Sequence, residues 1–250
     1  MREAVGRSIG PGTLPRSLRR GPMPAFSEVA DGLAMPLADA MRTQRAVRRL
    51  RSDPVDDETL LAVLELAVRA PTGSNAQSWE FVAVRDGDVK HQLARLNRQA
   101  FSIYRRVARG RARGDLKAAR MLAAVQWQAD HFENAPVIVI ACAKGRPGPL
   151  PMGQSAFYAS IYPAVQNLLL AARSLGLGAT LTTLPLWNRT LVRRTLGLPS
   201  GVTPCAVIPL GWPLRGGYGP TTRRPIGEVL HVDQYGNRPF LNGVPSDEEK

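Results

Sequence analysis

The sequence predicts a globular fold built from both helices and strands, and three observations lead there. The chain has 250 residues, 44% of them hydrophobic, which suits one large domain or two small ones and suffices for a sizeable core. Apolar residues recur at helical spacing in two places, Leu60–Val63–Leu64–Ala67 and Val165–Leu168–Leu169–Ala172. Between the helical patterns lie short, almost continuous apolar runs at 79–84, 135–143 and 203–212, bounded by Gly, Pro or Asp, which read as strands.

Residues 1–34 read as a basic leader in which Gly6, Gly10, Pro11, Gly12, Pro15, Gly21, Pro22 and Pro24 prevent a regular element, and it is expected to be disordered. Regular structure is expected from Pro36, at the first turn of a helix whose apolar face includes Leu37 and Met41. A second helix starts at Asp56, a suitable N-cap, with Asp57 and Glu58 complementing the dipole. Leu60, Leu61, Val63, Leu64, Ala67 and Val68 form its buried stripe, and Pro71 stops it. Trp79–Val84 follows as a mostly buried strand, turning at Asp86-Gly87.

From Val89 to Phe132 the pattern is largely helical, with a basic, glycine-interrupted loop or lid expected in the middle. Ala135–Ala143 is the clearest central strand, and the proline-loaded stretch from Gly145 to Gly153 reads as a loop. The most apolar helix runs from Ser160 to Leu175, with Pro163 kinking it or marking its first turn and Gly176 ending it. Ala179–Leu184 reads as a short strand, and Asn188 caps a helix closed by Gly197. Thr203–Trp212 reads as a strand whose prolines imply irregular edges. The tail from Pro213, with an extended Val229–Val232, has few core-forming residues and is expected to lie across another surface, a partner subunit being a candidate. Residues 241–250 form an acidic, mobile end.

The net charge of +13 raises nucleic acid as a partner. The excess sits in the leader and in a cluster from Arg105 to Arg120, where solvated faces are the plainer reading. Few aromatics interleave with these arginines, so a single-strand stacking platform is poorly supported. No apolar run approaches the roughly 20 residues of a membrane-spanning helix, and the N-terminus lacks a secretory pattern, so a soluble, cytoplasmic protein is expected. Cys142 and Cys205 lie in apolar runs and read as buried, inert thiols. The three histidines have no Cys or Glu at ligand spacing, so no metal site is expected, and neither Rossmann nor P-loop glycine patterns occur.

Two stretches carry the chemistry. Ala70-Pro71-Thr72-Gly73-Ser74-Asn75-Ala76-Gln77-Ser78-Trp79 sits between a helix and a strand and is filled with small and amide residues. Asn75 and Gln77 each offer a donor and an acceptor suited to the edge of a heteroaromatic ring, although a polar turn would look similar. Arg42-Thr43-Gln44-Arg45-Ala46-Val47-Arg48-Arg49-Leu50 can present two guanidiniums to one phosphate, whether helical or extended; a solvated basic turn is the alternative.

These stretches, in this order, resemble the nitroreductase family of FMN flavoproteins. The first matches its signature loop, the second its N-terminal phosphate motif. Ile161–Leu168 running on to Ala171–Gly178 is similar to its long core helix, and Leu210-Gly211-Trp212-Pro213 with Arg223-Arg224-Pro225 to its C-terminal motif. The resemblance covers about Leu37 to Phe240 and implies an α+β fold, a mainly antiparallel central sheet flanked by helices, over a domain spanning 35–240. It implies a homodimer with FMN at the interface and the C-terminal tail embracing the partner subunit. It assigns Arg45 and Arg48, with Ala46 between them and Arg223 from the tail, to the FMN phosphate. Pro71, Thr72, Gly73 and Asn75 would approach the flavin from the partner, with Gln77 close behind, and Thr182, Thr183 and Leu184 would lie along the ring system. The sequence departs from the family pattern at Gln44, Ala46, Leu50 and Ser78, where a basic residue, Ser, Phe and Pro are common.

The implied activity is a ping-pong cycle in which NAD(P)H, as co-substrate, reduces the flavin and a nitroaromatic, quinone or other flat small molecule reoxidises it. The flavin carries the chemistry, so no catalytic side chain is assigned. Two alternatives stand beside it: the same fold acting as a reductive dehalogenase or a flavin-fragmenting enzyme, and a non-enzymatic basic module that binds nucleic acid.

Overall fold

The computed structural model describes residues 33–242 except 112, 215 and 217; the expectations for the leader and for the acidic end lie almost wholly outside the described residues. Four strands form one sheet in the order β1-β2-β4-β3: β1 (Trp79–Val84), β2 (Val137–Lys144), β4 (Val202–Gly211) and β3 (Gly178–Ala179), all paired antiparallel. The α+β, mainly antiparallel expectation holds.

Helices cover both faces of the sheet, which is why its strands read as continuous apolar runs rather than as alternations. Along β2, Val137, Val139, Ala141 and Ala143 join the core under α2 (Asp57–Ala67) and α6 (Tyr162–Ser174). Ile138, Ile140 and Cys142 point the other way. There they meet Leu93, Ala94 and Leu96 of α3 (Gly87–Arg111), Phe132, and Val192 of α7 (Arg189–Thr195).

Local signals explain most boundaries. Asp56 caps α2, its Oδ1 accepting from the Thr59 amide at 2.6 Å, and Asn188 caps α7, accepting from the Leu191 amide at 3.0 Å. Pro163 falls in the first turn of α6, which settles the choice between a kink and a start. The basic segment is mostly helix: α3 runs through Gly110, and α4 (Leu116–Asp130) starts after a short break, capped by Asp115. The expected loop shrinks to that break.

Several expectations fail for physical reasons. α1 (Leu37–Thr43) forms, but Leu37 and Met41 are exposed and only Ala40 is buried. In α2, Val68 lies past the last turn and is exposed, while Ala62 is buried instead. β1 is an edge strand, with only Val84 fully covered. The proline-rich stretch after β2 yields a helix, α5 (Pro151–Ala159), because Pro151 occupies a first-turn position where its missing N–H costs nothing. β4, by contrast, forms as expected and is buried along its whole length; Pro204 sits where the register with β2 shifts, the irregularity its prolines implied, so no regular ladder bond is lost there. Val229–Val232 is not extended: a 3-10 turn at Ile226–Glu228 leads into a tight loop closed by the Val232 amide on the Asn237 carbonyl at 2.9 Å.

Candidate functional site

The basic segment after α1 is extended rather than helical. Ala46 bridges Ala179, the Val47 amide donates to the Ala179 carbonyl at 3.1 Å, and Thr180 Oγ1 donates to the Val47 carbonyl at 2.8 Å. Docked in this way on β3, the segment buries Val47 and Leu50 and leaves Arg45 exposed and Arg48 half-buried. Burial lowers the Arg48 pKa and the nearby Tyr104 opposes the shift, so a guanidinium is held where it has lost part of its water. None of the described ion pairs includes Arg45 or Arg48.

The C-terminal arm returns to this segment. The Leu214 amide donates to the Arg49 carbonyl at 2.9 Å, and the Thr221 amide and hydroxyl both reach the Arg42 carbonyl, at 2.9 and 3.1 Å. Gly219 lies beside Arg45: a Cβ on it would sit 3.9 Å from Arg45 Nη1. The arm is pinned by Tyr218, whose ring centre is 3.9 Å from the Arg173 guanidinium carbon. Arg173 Nε also donates to Thr43 Oγ1 at 2.9 Å. Arg223, two residues beyond Thr221, is exposed and, among the described residues, donates only to the neighbouring Thr222 carbonyl. The segment bearing the N-terminal arginines and the arm that carries Arg223 are thus brought to one side of the fold.

The signature loop sits elsewhere. The Gly73 amide donates to Ser160 Oγ at 3.2 Å, at the N-terminal end of α6, whereas Arg173 ties the arginine segment to the last turn of that helix. Thirteen residues of helix put about 20 Å between the two ends. Within the loop the Gln77 amide donates to Thr72 Oγ1 at 3.0 Å, and Gln77 Nε2 donates to Asn75 Oδ1 at 3.3 Å. Ser74, Asn75 and Gln77 all adopt left-handed backbone, at φ of 52°, 52° and 47°. Such residues cost on the order of 1 kcal/mol each and cluster where a loop is shaped for a purpose. Pro71, Gly73, Asn75 and Gln77 face solvent.

Thr182 is locked to β4 by a reciprocal pair of backbone bonds with Val207, both 2.9 Å, and its hydroxyl accepts from the Leu184 amide at 3.3 Å. Thr183 and Leu184 then form one wall of a cavity of ≈ 530 Å³. Tyr104 from α3, Tyr158 and Tyr162 from the α5–α6 corner, and Trp187 and Arg189 line it as well. Sequence reasoning missed these five residues. The only local hint was the Tyr158/Tyr162 spacing of four, because the rest come from elements far apart along the chain. Cys205 lies at the cavity floor, 2% exposed, and burial pushes its thiol up to about 11. Among the described residues no group of three or more His, Cys, Asp or Glu could hold a metal ion, and no helix is long and apolar enough to cross a membrane.

The donor set suits a flat, phosphate-bearing cofactor: an arginine-bearing segment with the C-terminal arm laid against it, an amide-rich loop on a second surface, and a ring-lined cavity. Comparison with known proteins agrees with this chemistry. The family model described as Nitroreductase family matches residues 41–212. Iodotyrosine deiodinase 1 of Rattus norvegicus is 29% identical over 198 residues, 78% of this chain and 68% of its own length. A putative NADH dehydrogenase/NAD(P)H nitroreductase of Methanothermobacter thermautotrophicus is 28% identical over 181 residues, 72% of this chain and 78% of its own. Among solved structures, oxidized iodotyrosine deiodinase bound to FMN and 3-iodo-L-tyrosine is 26% identical, with a TM-score of 0.60, covering 76% of this chain and 94% of its own.

Proposed function

This chain belongs to the nitroreductase family, and from that premise we propose that it is an FMN-dependent oxidoreductase acting as a cytoplasmic homodimer. The observation that carries the reading is the return of the C-terminal arm, through Thr221 and Gly219, onto the segment bearing Arg45 and Arg48. A dianionic phosphate placed there would meet Arg45, Arg48 and Arg223, with Ala46 contributing backbone only. Arg48 would gain most, because it has already given up part of its hydration.

Bound FMN supplies the acceptance of a hydride from NAD(P)H and its delivery as electrons to a second substrate. The chain's own residues bind and orient. Thr182, Thr183 and Leu184, with Thr182 fixed to β4, would lie along the ring system, and the aromatic cavity beside them would offer it apolar surface. Pro71, Thr72, Gly73, Asn75 and Gln77 would serve the ring of the other subunit, since about 20 Å of α6 separates them from their own arginines. The exposed Leu37 and Met41 of α1 fit a surface that a second copy covers. NAD(P)H is favoured as reductant by the nitroreductase relative, and reductive dehalogenation is the second reading, favoured by the two deiodinases.

The test is the double variant R45A/R223A. It should lose FMN on gel filtration while keeping the wild-type dimer and circular dichroism. Full flavin occupancy in a folded double variant would refute the phosphate assignment.

A further inference from the structure

The ring-lined cavity has a chemical bias of its own. Trp187 commits its indole N–H to the Leu96 carbonyl at 3.1 Å, and Tyr162 its hydroxyl to the Cys205 carbonyl at 3.2 Å, so what these residues offer a ligand is ring surface. Tyr158 and Tyr162 stack with centroids 5.9 Å apart and planes 24° from parallel. Walls of this kind take a flat molecule.

Among the lining residues the single charge is Arg189, the first residue of α7, and there is no carboxylate. None of the described ion pairs includes Arg189. A separate groove against α7 has the same sign: Arg146, Arg193 and Arg194 line it, again with no acid. Arg193 gives two of its N–H groups to the Pro199 and Ser200 carbonyls, which leaves its charge in place. A cation at a cleft with apolar walls and no acid favours anions at its mouth. An ammonium group entering the same cleft would lose water and find no counter-charge. The amino-acid ligand of the structurally similar deiodinase, 3-iodo-L-tyrosine, carries such an ammonium.

We propose that this cavity selects flat aromatic acceptors bearing a carboxylate or phenolate, with the anion on Arg189 and the ring against Tyr158, Tyr162 and Trp187, and disfavours zwitterions. The proposal deepens the redox reading above and rests on it for what happens after binding, while the binding itself is separately measurable. The purified protein is titrated with 4-nitrobenzoate, 4-nitrobenzamide and 4-nitrophenylalanine by tryptophan fluorescence, with NADPH-driven turnover of each followed in parallel.

The acid should bind at least about tenfold more tightly than its amide, as one charge-assisted hydrogen bond allows. The zwitterion should do no better than the amide. The acid-to-amide ratio should fall to about one in R189Q, persist in R146Q and shrink with added salt. Arg189 is exposed, so R189Q should fold, and its melting curve checks that. Equal binding of acid and amide, tighter binding of the zwitterion, or a ratio unchanged in R189Q would overturn the proposal. Charge-selective binding without flavin or turnover would instead count against the redox reading alone, and turnover without charge preference against this one alone.

Discussion

Three side chains with ionisable protons lie where water does not reach them well. Burial pushes the Cys142 thiol up to about 12, with Cys205 and Glu80 adding to it, and the Cys205 thiol up to about 11. Burial likewise raises Tyr218 to about 12, and its hydroxyl has no hydrogen-bond partner among the described residues. Each folded pKa exceeds its unfolded value, so each group holds its proton more tightly when folded. The linked stability is therefore full at neutral pH and is lost as pH rises above about 9 toward the folded values. Thermal melts should be flat through neutrality in this respect and fall steadily from about pH 9 to 11. The fall should be shallower in C142A/C205A, measured against each protein's own melting point at pH 7. The sequence already pointed to inert thiols at these positions. Tyr218 was not legible, because its environment is set by Arg173, 45 residues earlier by numbering and adjacent only in the fold.

At the scale of elements, β3 is two residues long, yet it positions the arginines. Its Gly178 leaves no room for a side chain: a Cβ would sit 2.6 Å from Val47 Cγ1 and 2.9 Å from Leu50 Cδ2. Both are on the segment that carries Arg45 and Arg48, so an added methyl group must push that segment off the sheet. G178A should therefore cost about 1–3 kcal/mol of stability in a urea melt. It should also weaken FMN retention, although it touches none of the assigned residues. Wild-type affinity in a folded G178A would mean that the segment's seat on β3 does not set the site.

The same scale shows what the sequence reveals and what it hides. α2, β2 and α7 were readable because Asp56, Asn188 and unbroken apolar runs mark them locally. α5 was hidden by the prolines around it, and the depth of β4 by Pro204 and Pro209, since both reflect a bulge or a first turn rather than local propensity. For the candidate site, the motifs located the arginine segment, the amide loop and Thr182–Leu184. They could not reveal the cavity facing Thr183, whose rings arrive from α3, the α5–α6 corner and the turn before α7.

Taken as a whole molecule, the chain displays its two principal motifs at opposite ends of α6 and leaves α1's apolar side chains uncovered. Both facts have one explanation if two copies pair so that each arginine cluster faces the other's loop, a closed two-fold arrangement in which both sites form together. The most direct test is complementation between two defective subunits. R45A/R223A lacks the phosphate cluster and N75A/Q77A lacks the loop amides; each alone should purify with little FMN. Refolded together in equal amounts, random pairing should restore flavin to about a quarter of the sites, all of them in mixed dimers. Flavin that stays absent from the mixture, while each variant is folded and the mixed dimer is shown to form, would contradict a site shared between subunits.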